Sequence, residues 1–171
     1  MTMTDISLTD LEIHSFTRFD RDWALLTAGT SDDFNSMTIS WGGLGTIWGM
    51  PVAFLVVKPV RYTFEFLCRH DELTLSWFGP EYKKALKIFG SKSGRDTDRV
   101  AETGLTPGEV DGAISYQEAN EVMVCRKVFM QQLDRSKFPE EVLQWYPEGT
   151  REEHAHYLVI AQVKRILRDQ K

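Results

Sequence analysis

Three hydroxyl side chains alternate with apolar ones just before a glycine-rich segment, and together they could bind one ligand. Ser36, Thr38 and Ser40 fall on one face of a predicted strand, and Trp41 falls on the other face. A strand rises about 3.3 Å per residue, so the hydroxyls form a row spaced roughly 7 Å apart. Residues 42–48 contain three glycines followed by a second tryptophan, which predicts a bendable turn and close backbone approach. The combination suits a flat aromatic ligand with a polar tail, and the alternative is an edge strand with a solvated hydroxyl face and a core tryptophan.

Arg61, Tyr62 and Thr63 stand where a predicted strand has ended and a predicted helix begins. The free N–H groups and the positive dipole end of a helix start favour an anion at such a place. Arg61 could add two charge-assisted hydrogen bonds to a phosphate. From these residues alone the favoured alternative is an arginine on a solvated helix start, because most arginines are exposed.

A second candidate anion site is the segment Ser-Lys-Ser-Gly-Arg-Asp at residues 91–96. It offers two hydroxyls, two cations and a glycine that can turn successive backbone amides towards an anion. Such serine–glycine strings are common, so the segment alone is a weak indication. Its final arginine and aspartate could instead pair and cap, which would hold the loop in shape.

No catalytic constellation of side chains is evident in the sequence. It contains no glycine-rich dinucleotide or nucleotide fingerprint and no nucleophile-elbow motif. His154 and His156 would share one face of the predicted last strand, at a spacing close to that of a metal pair, but no third ligand is evident. No catalytic or metal-ligating residue is therefore predicted, and an enzymatic reaction would be carried by a bound cofactor.

Short apolar runs, alternating or rich in β-branched residues, predict strands, and several segments have helical spacing instead. The predicted strands cover residues 23–29, 36–41, 52–57, 72–78, 113–116, 121–133 and 156–167. The predicted helices cover residues 61–69, 80–90 and 138–145, with a further short helix capped by Asp96 and ending at Thr103. Because strands and helices do not alternate regularly, a doubly wound sheet is disfavoured and a small antiparallel barrel is predicted.

Length and composition indicate one globular domain. The chain has 171 residues, of which 42% are hydrophobic and 26% charged, and we expect an N-terminal arm at 1–15 before a domain at 16–171. The net charge of −5 argues against nucleic acid as a partner, so any phosphate site must be built from local groups. The absence of a signal peptide and of a long apolar run predicts a cytoplasmic protein without membrane association. Cys68 and Cys125 are expected to be reduced and buried.

Several segments in the same order resemble the flavin reductase-like family, which has the FMN-binding split-barrel fold. They are Asp-Trp-Ala-Leu-Leu-Thr-Ala-Gly at 22–29, Asn-x-Met-Thr-x-Ser-Trp-Gly at 35–42, the apolar segment with Lys-Pro-Val-Arg-Tyr-Thr at 51–63, and Gly-Ser-Lys-Ser-Gly-Arg-Asp at 90–96. The resemblance extends over roughly residues 16–167 and is greatest to the flavoredoxin-like members. It implies a mainly β chain with short inserted helices, folded as an antiparallel split β-barrel.

The resemblance also implies FMN as the cofactor and assigns its contacts to the matching positions. These are Asn35, Met37, Thr38, Ser40, Trp41, Arg61, Tyr62, Thr63, Ser91, Lys92 and Ser93. The Asn35 amide would suit the imide-like edge of the flavin or a ribityl hydroxyl. Met37 and Trp41 would contact the ligand through backbone amides, or the strand would twist near Gly42 and carry Trp41 to the ring. His154 and Tyr157 keep the family's His-x-x-Tyr spacing, but the family's following Gly-Glu is absent.

Three functions follow from this resemblance. The first is a homodimeric FMN-binding oxidoreductase that takes electrons from NAD(P)H or from an electron-transfer protein and passes them to an acceptor. The second is a flavoredoxin-like electron carrier without NAD(P)H turnover of its own, and the third is a binding domain without a redox role. The homodimer is expected because a split barrel leaves strand edges to be covered and because Trp41, Trp48, Trp77 and the segment around Phe54 are strongly apolar. The alternative is that these aromatic residues fill the core of the monomer.

Overall fold

The protein is a mainly β structure in the part of the chain that the computed structural model describes, residues 3–169. The strands are β1 (Met3–Ile6), β2 (Ala24–Gly29), β3 (Phe34–Ile39), β4 (Gly42–Ile47), β5 (Met50–Val57), β6 (Glu72–Trp77), β7 (Pro107–Val110), β8 (Ala113–Tyr116), β9 (Glu121–Gln132) and β10 (Tyr157–Asp169). The helices are α1 (Tyr62–Arg69), α2 (Lys83–Ser91), α3 (Arg99–Thr103) and α4 (Glu140–Leu143). Short 3₁₀ turns occupy Leu8–Asp10, Pro80–Tyr82 and Arg135–Lys137. The predicted mainly β class with short inserted helices is confirmed.

One antiparallel sheet forms the body of the protein, in the strand order β3-β2-β6-β9-β10-β5-β4, and β7 pairs with β8 separately. Strand β10 pairs with β9 along most of its length, while β5 and β1 share its other edge. Ile39 from β3 and Leu55 from β5 belong to one buried cluster, although their strands stand near opposite ends of the order. The sheet therefore curls around a common core, as the predicted split barrel requires.

The glycine-rich segment after β3 is an edge strand rather than the predicted bendable turn. Strand β4 pairs with β5 in register from Gly42 opposite Leu55 to Ile47 opposite Met50. The backbone is close to its neighbour at Gly45, where an added Cβ would lie 3.1 Å from the Phe54 ring. The turn itself falls at Trp48 and Gly49, which both have positive φ, as tight hairpin turns require.

Helix α2 and the loop after it lie close to their predicted positions, with two differences. The predicted apolar face of Ala85, Leu86 and Phe89 is buried, but the helix continues one residue beyond Gly90 to Ser91. The cap of α3 is Asp98 rather than the predicted Asp96, because the Asp98 side chain accepts a hydrogen bond from the Ala101 amide. The segment predicted to be helical at 138–145 contains only the single turn α4.

Three further expectations about exposure need correction or extension. Within the predicted N-terminal arm, β1 pairs with β10 from Met3 to Ile6, so this portion is part of the sheet, while residues 1–2 lie outside the described residues. Cys125 is buried as predicted, but Cys68 is exposed, because the buried face of α1 carries Thr63, Phe66 and Leu67 instead. Trp77 is only 2% exposed and fills the core of the monomer.

Between residues 3 and 169, the helices are all too short or too polar to traverse a lipid bilayer.

Candidate functional site

Two adjoining cavities lie where the C-terminal ends of β3 and β5 meet the starts of α1 and β10. The basic cavity measures about 180 Å³ and is lined by Val60, Arg61, Tyr62, Thr63, Ser91, Lys92, Ser93, Gly94, Arg99, Arg151 and Glu152. The aromatic cavity measures about 370 Å³ and is lined by Met37, Thr38, Ile39, Ser40, Trp41, Val56, Lys58, Arg61, Trp145, Glu152 and His156. Arg61 and Glu152 line both cavities, so the two form one continuous cleft.

The basic cavity concentrates positive charge in a chain whose net charge is −5. Arg61, Arg99 and Arg151 all line it, and none of the three forms an ion pair with a carboxylate between residues 3 and 169. Burial lowers the pKa of Arg61 and of Arg99, but a guanidinium stays charged at neutral pH. Arg61 is partly buried and Arg99 is buried, whereas Arg151 is exposed. Buried charges without an ion-pair partner are costly, so this cavity is suited to an anionic ligand.

Arg99 forms the inner wall of the basic cavity and is only 5% exposed. Its Nη2 donates to Asn35 Oδ1, and its Nη1 donates to the carbonyls of Phe89 at 3.4 Å and Lys92 at 3.3 Å. Asn35 Nδ2 in turn donates to Thr63 Oγ1 at 3.0 Å. This chain of hydrogen bonds joins β3, α1 and α3 behind the cavity and holds its wall in one geometry.

The start of α1 supplies backbone donors to the same cavity. Its N-cap is Arg61, whose side chain makes no capping hydrogen bond, and Tyr62 and Thr63 form its first turn. Amides in the first turn of a helix have no partner within the helix, and the helix dipole adds partial positive charge there. The Arg61 guanidinium instead reaches the last turn of α2, where Nη1 donates to the Gly90 carbonyl at 2.6 Å and Nη2 to the Phe89 carbonyl at 3.0 Å. The Arg61 side chain is therefore held by two backbone carbonyls and is not the solvated arginine of the alternative interpretation.

Aromatic rings enclose the second cavity. Strand β3 ends at Ile39, so the alternation predicted through Trp41 is broken and the Trp41 ring lies in the cavity with Thr38 and Ser40. The Trp145 ring meets Trp41 edge to face with centroids 5.3 Å apart, and the His156 ring lies 4.9 Å from Trp41 on a tilted plane. Of the two arrangements left open by the sequence, the structure has the one in which the Trp41 side chain reaches the cavity.

His156 is a neutral ring in the wall of the aromatic cavity. Burial, together with the positive charge of Lys58, lowers the pKa of His156 to about 4. Its Nδ1 lies 2.8 Å from the hydroxyl of Tyr146, and burial raises the pKa of that phenol, which keeps it protonated. When the phenol donates to Nδ1, the proton of the neutral imidazole resides on Nε2. His154 is exposed and lines a different cavity. Strand β10 begins only at Tyr157, so the prediction that His154 and His156 share one face of this strand is wrong.

A segment between β9 and β10, residues 133–156, covers one side of the cleft. It contributes Trp145 to the aromatic cavity, Arg151 to the basic cavity and Glu152 to both. It is attached to the end of β5 by the Lys58 ammonium, which lies 2.7 Å from the Glu152 carbonyl and 2.9 Å from Glu152 Oε2. Arg151 Nη2 also donates to the Val60 carbonyl at 3.1 Å. Apart from the single helical turn α4, this covering segment has no regular secondary structure longer than a 3₁₀ turn.

All the residues predicted to contact a cofactor line these two cavities except Asn35, which stands behind them. The hydroxyl row, however, does not face the cleft as a unit. Ser36 is buried, with its hydroxyl 2.8 Å from those of Thr27 and Tyr116, and Thr38 donates to the Leu86 carbonyl at 2.6 Å. Met37 is largely a core residue. The structure thus places these residues together but leaves their role in binding as a prediction.

The predicted serine–lysine–serine contacts also have partners within the chain. Ser91 donates to the Lys87 carbonyl at 2.8 Å, and the Lys92 ammonium pairs with Glu102. Ser93 Oγ accepts a hydrogen bond from the Arg95 amide at 3.2 Å, which shapes the turn. These bonds lie at or near the surface, where exchanging one partner for a ligand costs little.

Several residues that line the cleft were not predicted from the sequence: Lys58, Arg99, Trp145, Arg151, Glu152 and His156. Arg99 begins a short helix, and the others follow a proline-bounded strand or lie in the covering segment. Lys58 lies in a segment that carries the resemblance but was not predicted as a contact, and the others are brought to the cleft by tertiary packing without a motif. That the three arginines form no ion pair among residues 3–169 could be seen only in the structure.

Gly94 permits the contact that orders the inner wall of the basic cavity. A Cβ at this position would overlap both Arg99 Nη2 and Asn35 Oδ1. We expect Gly94→Ala to lower the free energy of unfolding by about 2 kcal/mol, because it displaces a hydrogen bond to a charged group. Urea denaturation measures this change. The matched control is Gly43→Ala, where a Cβ meets no atom within 4 Å and the change should stay within about 0.5 kcal/mol; equal stability of the two variants would contradict the prediction.

Comparison with known proteins places these features in a family context. A sequence model described as Flavin reductase like domain matches residues 16–170. A search of curated proteins found no match. Among solved structures, the flavoredoxin of Desulfovibrio vulgaris (Miyazaki F) is 19% identical with a TM-score of 0.64, over 86% of this chain and 69% of that one.

Two further solved structures have the same fold. The FMN-binding domain of a flavin reductases-like enzyme from Shewanella baltica OS155 is 16% identical with a TM-score of 0.68, over 98% of this chain and 78% of that one. The styrene monooxygenase flavin reductase from Pseudomonas putida S12 is 18% identical with a TM-score of 0.60, over 85% of this chain and 78% of that one. The predicted split-barrel fold is thereby confirmed.

Proposed function

Because this chain belongs to the flavin reductase-like family, we propose that it binds FMN in the continuous cleft and acts as a flavin-dependent oxidoreductase. The observation that carries the proposal is a basic cavity beside a cavity lined by aromatic rings, in which three guanidiniums form no ion pair with a carboxylate among residues 3–169. FMN has the matching parts, a phosphate dianion and a flat ring system joined by a polar chain. The names of the similar structures, which include an FMN-binding domain, support the same cofactor.

The two cavities of the cleft suit different parts of FMN. Arg61, Arg99, Arg151 and the first-turn amides of α1 would bind the phosphate. Trp41 and its aromatic neighbours would hold the ring and exclude water from it. Bound FMN supplies the redox chemistry, since its ring system accepts a hydride itself. This division explains why no catalytic side chain is needed in the cleft.

Electron donation by NAD(P)H is the first form of the proposal, and a flavoredoxin-like carrier is the second. The flavin reductase and flavoredoxin structures support one form each at comparable similarity. Purified protein should show the absorbance bands of flavin, or gain them on addition of FMN. If the protein then oxidises NADH or NADPH in the presence of free flavin, the result supports the reductase. If flavin-loaded protein oxidises neither nucleotide, the result supports the carrier. A colourless protein that does not bind added FMN would contradict both.

We further propose that the working unit is a homodimer that covers the apolar outer face of β9, β10 and β5. Phe129, Ile160 and Phe54 are register neighbours across these strands and therefore point to the same side. Val56 lies two residues along β5 from Phe54 and lines the aromatic cavity, so this face is continuous with the cleft. Phe129 is 38% exposed, which leaves an aromatic surface for a second copy to bury.

Light scattering at micromolar concentration should give twice the mass of the chain. Phe129→Glu should shift the protein towards a monomer, because a carboxylate would be buried in the interface. The matched control is Phe16→Glu, since Phe16 is 95% exposed and lies outside this face. A monomeric wild-type protein that still holds FMN tightly would overturn the dimer proposal.

A further inference from the structure

A salt bridge stands in the wall of the aromatic cavity, beside the place proposed for the flavin ring. The Lys58 ammonium lies 2.9 Å from Glu152 Oε2, and both residues line this cavity. The Lys58 side chain is 11% exposed, whereas that of Glu152 is 55% exposed. Glu152 accepts two of the three hydrogens of the ammonium, one on its carboxylate and one on its backbone carbonyl.

Of the other titratable groups around Lys58, His156 and Tyr146 are neutral, and Arg61 is a second cation. His156 is neutral because burial and the Lys58 charge lower its pKa to about 4. Tyr146, whose ring lies 4.7 Å from the Lys58 ammonium, is held protonated by burial. Arg61 lines both cavities, but its guanidinium donates to the carbonyls at the end of α2. The hydrogen bond from Lys58 lowers the pKa of Glu152, which keeps this carboxylate charged at pH 7.

Charges placed this way act on the ring in opposite directions. Two-electron reduction adds negative charge to a bound flavin ring, and a nearby cation stabilises that charge whereas a carboxylate opposes it. Lys58 is the more buried partner, so its field is less screened by solvent than that of Glu152. The two residues therefore contribute separately, and with opposite signs, to the electrostatic potential at the ring.

We propose that Lys58 and Glu152 set the reduction potential of the bound flavin with opposite signs, Lys58 raising it and Glu152 lowering it. The inference rests on the proposed FMN site. It assigns to these residues an electrostatic function beyond their attachment of the covering segment. Neither residue was predicted from the sequence to contact a cofactor.

The test compares midpoint potentials of FMN-loaded wild type, Lys58→Met, Glu152→Gln and the double variant, by equilibration with redox dyes. Methionine keeps the length of the lysine side chain without its charge, and glutamine keeps the acceptor oxygen of the glutamate. We expect the preference for reduced over oxidised FMN to fall about tenfold in Lys58→Met and to rise in Glu152→Gln. For a two-electron couple, tenfold corresponds to about 30 mV. The double variant should lie between Lys58→Met and wild type, because the charge of the more buried Lys58 is the less screened of the two.

Opposite signs separate this function from a merely structural one. If the pair only attached the covering segment, both single variants would loosen the cleft and shift the potential in the same direction or not at all. The control for net charge is Lys164→Met, because Lys164 is exposed on β10 about 23 Å along the strand from its start at Tyr157. A wild-type protein that fails to bind flavin overturns the proposed function and this inference together. Bound flavin with unchanged or same-direction potentials overturns this inference alone.

Discussion

FMN is expected to bind this protein about a hundredfold more tightly than riboflavin, which has the same ring but no phosphate. Arg61, Arg99 and Arg151 line the basic cavity without carboxylate partners among residues 3–169. A hydrogen bond to a charged group contributes about 1.5–3 kcal/mol, so two such bonds to the phosphate give at least about 3 kcal/mol. Titration of the apoprotein with each flavin, followed by flavin fluorescence, measures the ratio.

The pH dependence of the two titrations provides an internal control. A phosphate monoester gains its second negative charge above about pH 6, so the preference for FMN should shrink as the pH falls below that value. Riboflavin binding should change little over the same range, because burial and Lys58 keep His156 neutral down to about pH 4. Equal affinity for FMN and riboflavin at pH 7 would show that the basic cavity does not hold the phosphate.

Local patterns were sufficient for elements marked by a short apolar run or by helical spacing. Strand β8 lies where a strand was predicted, near residues 113–116, and the buried face of α2 at Ala85, Leu86 and Phe89 follows from helical spacing alone. The glycine-rich strand β4 was missed because its pairing with β5, rather than its own propensity, makes it extended. The Asp98 cap was missed because Asp96 and Asp98 are equally good caps in the sequence, and only the position of Ala101 decides between them.

The candidate site divides in the same way. Residues such as Arg61 and Trp41 were found because short motifs carry the family resemblance, and the structure brings them to one cleft. Arg99 was missed because a basic residue at a helix start is ordinarily solvated, whereas here α3 packs it against Asn35. Lys58 and Glu152 were missed because a contact between residues 94 positions apart has no local signal. Resemblance therefore predicted residues that the structure brings to one candidate cleft, and the structure gave the electrostatics of that cleft.

Arg61→Ala is expected to weaken FMN binding about thirtyfold and also to destabilise the apoprotein. Loss of a charge-assisted contact to phosphate costs on the order of 2 kcal/mol of affinity, which corresponds to that factor. The guanidinium also donates to the Gly90 carbonyl at 2.6 Å and to the Phe89 carbonyl at 3.0 Å, and the variant leaves both without this partner. We therefore expect the free energy of unfolding to fall by about 1–2 kcal/mol. An arginine without hydrogen bonds to the rest of the chain would not have this effect. Isothermal titration and urea denaturation measure the two effects separately.

Riboflavin titration of Arg61→Ala distinguishes direct phosphate binding from an effect through the fold. A phosphate contact predicts that FMN affinity falls while riboflavin affinity stays nearly constant, since riboflavin has nothing for the guanidinium to bind. A purely structural arginine would instead lower both affinities by the same factor, because the end of α2 and the basic cavity would rearrange for either ligand. The matched control is Arg69→Ala on the same helix, where an exposed pair with Asp33 at 3.2 Å contributes little. Equal losses for FMN and riboflavin in Arg61→Ala would assign this arginine to the fold and leave Arg99 and Arg151 to hold the phosphate.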